Sequence, residues 1–188
     1  MTIDFGTVFL NDPAQQTLSI TNAANVTLKI HNNYISGVGD TGVLIEDGIW
    51  TAQIYQNYIG GLGTGADQAF RTDYLTVLNE PSSPIPLRGN GNDGILIQSN
   101  ASGTFLVTLN FLGGNNVDGP NPDSNHGLNV QSNTAIVNAD QNWWGTASPT
   151  AGTEYFFKNP GANQHATSVL PAGADGSCFS PGGTACIV

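Results

Sequence analysis

Residues 107–114 read VTLNFLGG, and three other stretches align with them on one asparagine: IHNNYISG at 30–37, IYQNYIGG at 54–61 and NADQNWWG at 138–145. The shared pattern is asparagine, aromatic, apolar, small, anchored at Asn33, Asn57, Asn110 and Asn142. Upstream of each lies a short apolar block: LSI at 18–20, GVLI at 42–45, GILI at 94–97 and GLNV at 127–130. From Ile20, Ile45, Ile97 and Val130 to the following asparagine the separations are 13, 12, 13 and 12 residues. From Asn33, Asn57 and Asn110 to the next block's glycine they are 9, 37 and 17. Each unit therefore has a part of fixed length and one variable loop, as stacked repeats do when insertions fall on a single edge.

The fixed part alternates like strand. Leu128 and Val130 flank polar Asn129, so the outer pair faces inward and Asn129 outward. The same assignment turns Leu18/Ile20, Val43/Ile45 and Ile95/Ile97 inward. A second strand before each asparagine turns in Leu28/Ile30, Ala52/Ile54, Phe105/Val107 and Val137/Ala139. After the turn Ile35, Ile59, Leu112 and Trp144 enter the core, while Tyr34, Tyr58, Phe111 and Trp143 hold a slot at the turn surface. No segment has helical periodicity.

Units of about 24 residues built of short strands and glycine turns predict an all-β chain: a single-stranded, right-handed parallel β-helix, a solenoid of about four coils with terminal caps. Residues 1–16 form an entry strand or cap. Residues 17–149 form the coils, with insertions at 60–93 and 113–126. Residues 150–188 form a C-terminal cap or tail. Equivalent positions of successive coils then lie about 4.8 Å apart, which makes the asparagines a ladder. Asn33, Asn57, Asn110, Asn142, Trp143 and Trp144 are assigned to this structural row, with the tryptophan doublet as its last rung.

The coils and NWWGTASP resemble the right-handed, pectate-lyase-like parallel β-helix superfamily. More narrowly, they resemble repeat domains of microbial surface proteins that end in Asn-Trp-Trp-Gly. The resemblance spans about residues 14–150 and implies a fold, since this fold hosts lyases, hydrolases, adhesins and inert spacers alike. Residues 3–30 also resemble the opening strands of immunoglobulin-like modules, but such a module needs about 100 residues. The resemblance to calcium-dependent lyases would imply an acidic cluster and a basic residue. The chain's Lys and Arg are Lys29, Arg71, Arg88 and Lys158. The hydrolase motifs are absent apart from His126-Gly127.

Charge narrows the partners. Four Lys+Arg stand against fourteen Asp+Glu, a formal net charge of −10. That excludes nucleic acid and anionic membrane as natural partners. No stretch has the run of about 20 apolar residues that a membrane helix needs. Cys178 and Cys186 are spaced to close a small disulfide loop in an oxidising compartment. This fits an extracellular or cell-surface location; sequons at Asn25 and Asn100 allow glycosylation and by themselves place the chain nowhere.

Before the repeated glycine stand Thr41, Asp93 and His126, preceded by Asp40, Asn92 and Asn125. With Asp118 and Asp123 of the following loop, and Arg71 and Arg88 of the long insertion, they are the candidate ligand or carbohydrate site, at a shallow loop edge. Stacked coils would let Asp93 and His126 touch, and calcium is the cation such carboxylates could hold. The competing reading makes them turn residues. No residue is assigned a catalytic role, and no cofactor is required. GNGNDGILI at 89–97 partly resembles a calcium-binding nonapeptide but lacks an adjacent copy. His31 is read as solvated, and His165 as a tail residue. Leu44, Tyr55, Leu96, Leu106 and Leu109 point outward as an apolar stripe that a partner or the 150–188 tail would cover.

Three functions follow: a non-catalytic scaffold that assembles through its terminal strands, a carbohydrate-binding or adhesion module, and a polysaccharide lyase or hydrolase. Partners are accordingly other copies, flanking domains or glycans.

Overall fold

The computed structural model describes residues 27–31, 33–35, 37–61, 89–115, 126–144 and 149–166. Outside them lie the proposed entry segment 1–16, Leu18 and Ile20, Arg71 and Arg88, Asp118 and Asp123, both cysteines and the Asn25 sequon. The described chain is all β, with eleven strands and no helix. In order they are β1 Thr27–His31, β2 Tyr34–Ile35, β3 Val43–Ile45, β4 Gly48–Tyr55, β5 Tyr58–Ile59, β6 Ile95–Ile97, β7 Ala101–Thr108, β8 Leu128–Val130, β9 Ala135–Asn138, β10 Tyr155–Phe157 and β11 Gln164–His165.

Every pairing between these strands is parallel. The largest sheet runs β1-β4-β7-β9-β11, a second β3-β6-β8-β10, and the third pairs β2 with β5. Each stretch of chain adds one strand to the second sheet and then one to the largest. Neighbours in a sheet are thus one repeat apart. Single bridges from Tyr58 to Phe111 and from Phe111 to Trp143 continue the third row.

Alternation places the core as period-two reasoning requires. Val43/Ile45, Ile95/Ile97 and Leu128/Val130 are buried, as are Ala52/Ile54, Phe105/Val107 and Val137/Ala139. Ile59, Leu112 and Trp144 join the same cluster, with Leu28, Ile30 and Ile35 packed against it.

The asparagines are tied in series. Asn33 donates its backbone N and its Nδ2 to Oδ1 of Asn57, at 3.1 and 3.0 Å. Asn57 does the same to Asn110 at 3.1 and 2.9 Å, and Asn110 to Asn142 at 3.0 and 3.0 Å. The Nδ2 of the last three also reaches back to a carbonyl of the preceding row: Asn57 to Ile30, Asn110 to Ile54 and Asn142 to Val107, at 3.0, 2.8 and 2.7 Å. One side chain thus satisfies its own turn and two neighbouring rows, which a buried amide requires. The residue before each of the last three, Gln56, Leu109 and Gln141, is left-handed with φ of 55°, 56° and 61°.

Four expectations change. The aromatic slot is interior: Tyr58 and Phe111 are fully buried and Trp143 is 6% exposed. Tyr58 and Phe111 stack at 4.3 Å, and the Tyr58 hydroxyl donates to the Gly61 carbonyl at 2.8 Å. This lets the polar tip of a buried ring stay satisfied. Asn129 also faces no solvent; it is buried, and its partner is Asp93. Residues 150–166, read as a cap or as a tail that could cover the leucines, add a further row to the stack. β10 pairs with β8 and β11 with β9. Gln164 stands in line with Val137 at a core position. Its Nε2 donates to the carbonyls of Ser132 and Ala135 at 2.6 and 3.1 Å, and its Oε1 accepts from Asn159 N at 2.9 Å. The outward leucines split as well. Leu44 and Leu96 lie on the β3-β6-β8-β10 sheet, and Leu106 on the largest.

Candidate functional site

Asp93 and His126 precede Gly94 and Gly127, which lead into β6 and β8. Backbone bonds lock that turn from row to row: Gly42 N donates to Asp93 O at 3.0 Å, Gly94 N to His126 O at 2.8 Å, and Gly127 N to Glu154 O at 2.8 Å. Gly94 is required by close approach, since a Cβ there would lie 2.6 Å from the Gly127 carbonyl oxygen. A side chain at 94 would push apart the two turns that bring Asp93 to His126.

The two residues meet. His126 N donates to Asp93 Oδ1 at 2.9 Å, and Asn129 Nδ2 donates to Asp93 Oδ2 at 2.9 Å. His126 Nδ1 stands 3.5 Å from Asp93 Oδ1 and makes no hydrogen bond. The imidazole lies 6.0 Å from the Phe156 ring, tilted by 42°. Asp93, His126 and Asn129 are all buried, so the site is interior and not the expected shallow loop edge. A carboxylate taken out of water needs donors on both oxygens, and here one comes from the next turn and one from the next strand. The arrangement works as a clamp between rows.

The other described candidates do not join this pair. Asp40 is exposed; its Oδ1 accepts from Asn92 Nδ2 and, at 3.5 Å, from Thr41 Oγ1. Arg71, Arg88, Asp118 and Asp123 lie outside the described residues. Among the described residues no three of His, Cys, Asp and Glu group as a metal site. His31, partly exposed on β1, stacks on Tyr55 at 4.9 Å. His165 Nδ1 lies 3.3 Å from Asp140 Oδ1.

Sequence reasoning missed a second amide row. Asn90 Oδ1 accepts from Val38 N at 3.3 Å, and its Nδ2 donates to Asn115 Oδ1 at 2.9 Å. Asn115 Nδ2 in turn donates to the Ile59 and Leu112 carbonyls at 3.1 and 3.0 Å. Asn115 follows Asn110 by five residues, as Val38 follows Asn33, and that spacing is the available signal. In the middle row the long insertion hides it, and Asn90 reads as part of the nonapeptide-like stretch. Ser132 was also missed; its Oγ bonds the Ala101 carbonyl at 2.5 Å and accepts from Ala135 N at 3.0 Å.

Compared with known proteins, the chain finds no counterpart: no protein family, no curated protein and no solved structure matches it.

Proposed function

We propose that the chain is a non-catalytic scaffold: a right-handed parallel β-helix of an extracellular surface protein, assembling end to end through its terminal strands. The observation that carries this reading is how the polar residues are used. Asp93, His126 and Asn129, the best candidates for chemistry, are buried and bonded between rows, as the asparagine ladder is. Parallel rows in constant register favour the β-helix, and stacked strands leave ends that pair readily with another copy. The resemblance of NWWGTASP to surface-protein repeats points the same way.

The test compares wild type, Asp93→Ala, His126→Ala and a chain lacking residues 1–12. Light scattering and negative-stain imaging of the wild type are expected to find ordered particles, lost on removing residues 1–12 while the strands stay folded. Asp93→Ala is expected to lower thermal stability, and the wild type to leave a polysaccharide panel uncut with or without Ca²⁺. Cleavage abolished by His126→Ala in a folded protein would overturn the scaffold reading in favour of a lyase or hydrolase. Glycan-array binding by a chain that never associates would favour adhesion.

A further inference from the structure

An Asp or Asn followed by glycine can close on itself, because the next backbone nitrogen reaches the side-chain carbon with no Cβ in the way. Among the described residues there are three such pairs: Asp47-Gly48, Asn90-Gly91 and Asp93-Gly94. The fold shuts two of them. Asn90 is buried; its Oδ1 accepts from Val38 N and its Nδ2 donates to Asn115 Oδ1, while Gly91 N donates to Val38 O at 2.8 Å. Asp93 is buried with both carboxylate oxygens bonded, and Gly94 N donates to His126 O at 2.8 Å. In each pair the attacking nitrogen and the group it would attack are held in other bonds, so ring closure waits on local opening of the rows.

Asp47-Gly48 is built differently. Residues 46–49 are exposed, at the corner between β3 and β4. Gly48 has a φ of 97°, which glycine takes up without strain. The Asp47 carbonyl oxygen accepts the Trp50 indole N–H at 2.6 Å, and Trp50 is itself packed against the core.

We infer that Asp47-Gly48 is a self-modification site, converting to isoaspartate through a cyclic imide. Gly48 N attacks Cγ of the Asp47 carboxylic acid. The N–Cγ bond forms, a Cγ–O bond breaks, and the carboxyl OH leaves as water with the proton from the nitrogen. Water then opens the ring. Addition at Cγ restores aspartate; addition at the former Asp47 carbonyl carbon leaves the peptide running through Cγ and a free α-carboxylate. No oxidant or co-reactant other than water is needed. As Gly48 N gives up its proton, negative charge spreads onto the Asp47 carbonyl oxygen. The Trp50 N–H already points at that atom, so it stabilises the charge where it develops. The product adds one backbone atom to a corner of two residues, Glu46 and Asp47.

The test ages the full chain in neutral buffer and, in parallel, in concentrated urea. Isoaspartate is read by carboxyl methylation with an isoaspartyl methyltransferase and S-adenosylmethionine, and is placed by fragmentation of tryptic peptides. Cleavage at Lys29, Arg71 and Arg88 puts Asp47 in peptide 30–71, apart from Asn90 and Asp93. In the folded chain Asp47 is expected to convert at least as fast as in urea, whereas Asn90 converts at least about tenfold more slowly than in urea. Trp50→Phe should slow Asp47 about fivefold in the folded chain, the rate equivalent of one neutral hydrogen bond, and leave the urea rate unchanged. Asp47→Glu, whose ring would be larger, should remove the signal from peptide 30–71. The proposal is overturned if folding slows Asp47 relative to urea, or if Trp50→Phe changes nothing in a chain that still melts cooperatively. Isoaspartate in peptide 30–71 that survives Asp47→Glu overturns it as well. Should Trp50→Phe fail to fold, the folded-to-urea ratio of the wild type decides alone.

Discussion

Asn110 shows how much one side chain can carry. The two N–H groups of its Nδ2 are shared among three acceptors, Ile54 O, Thr108 O and Asn142 Oδ1, and its Oδ1 accepts from Asn57 twice. Asn110→Ala leaves those partners buried and unpaired, and is expected to cost about 2–4 kcal/mol in urea unfolding. Asn33→Ala, in a half-buried turn, should cost less. A loss for Asn110→Ala below about 1 kcal/mol would mean water replaces the ladder bonds. One residue earlier, Leu109 occupies left-handed backbone at φ 56°. A branched side chain is strained there, whereas asparagine tolerates it. Leu109→Asn is therefore expected to stabilise by about 0.5–1 kcal/mol, read as a higher midpoint in the same titration. No gain would place the leucine's packing above its strain.

At the scale of strands and turns, rows approach so closely that some positions admit only hydrogen. A Cβ on Gly60 would fall 1.9 Å from the Gly113 carbonyl oxygen. Gly60→Ala is expected to prevent the β5 row from docking, with a loss above about 3 kcal/mol or a failure to fold, seen as loss of the cooperative melt. A normal melt would show that the rows can separate. The strands themselves were legible, because inward pairs such as Ile95/Ile97 and Phe105/Val107 repeat at fixed distance from an asparagine. The row at 150–166 was not. It lacks an asparagine at the anchoring position, and polar Gln164 replaces the expected aliphatic at the core. Asn129 failed for a related reason: alternation sorts side chains by polarity, and a buried amide with a carboxylate partner defeats that sorting. Contact between Asp93 and His126 could be read from their shared place before glycine. Their burial could not, since it depends on what packs over the turn.

For the whole molecule, charge governs association. With a net charge of −10, copies repel at long range, and salt screens that repulsion over about 10 Å at 0.1 M. Raising ionic strength from about 0.02 to 0.2 M is expected to strengthen self-association several-fold, by sedimentation or light scattering. Association that weakens with salt would instead point to ion pairs as its main source.

The ladder has a direction, and that direction bears on how the chain is made. The amide of each asparagine is completed by the oxygen of the one after it: Asn33 waits for Asn57, Asn57 for Asn110, Asn110 for Asn142. A nascent chain therefore always exposes one unfinished rung at its growing end, and each newly synthesised row closes the row before it. A ribosome-stalled chain ending between Asn110 and Asn142 should protect the Asn57 amide from hydrogen exchange while leaving that of Asn110 open. Protection of both at that length would mean that the rungs close in some other order.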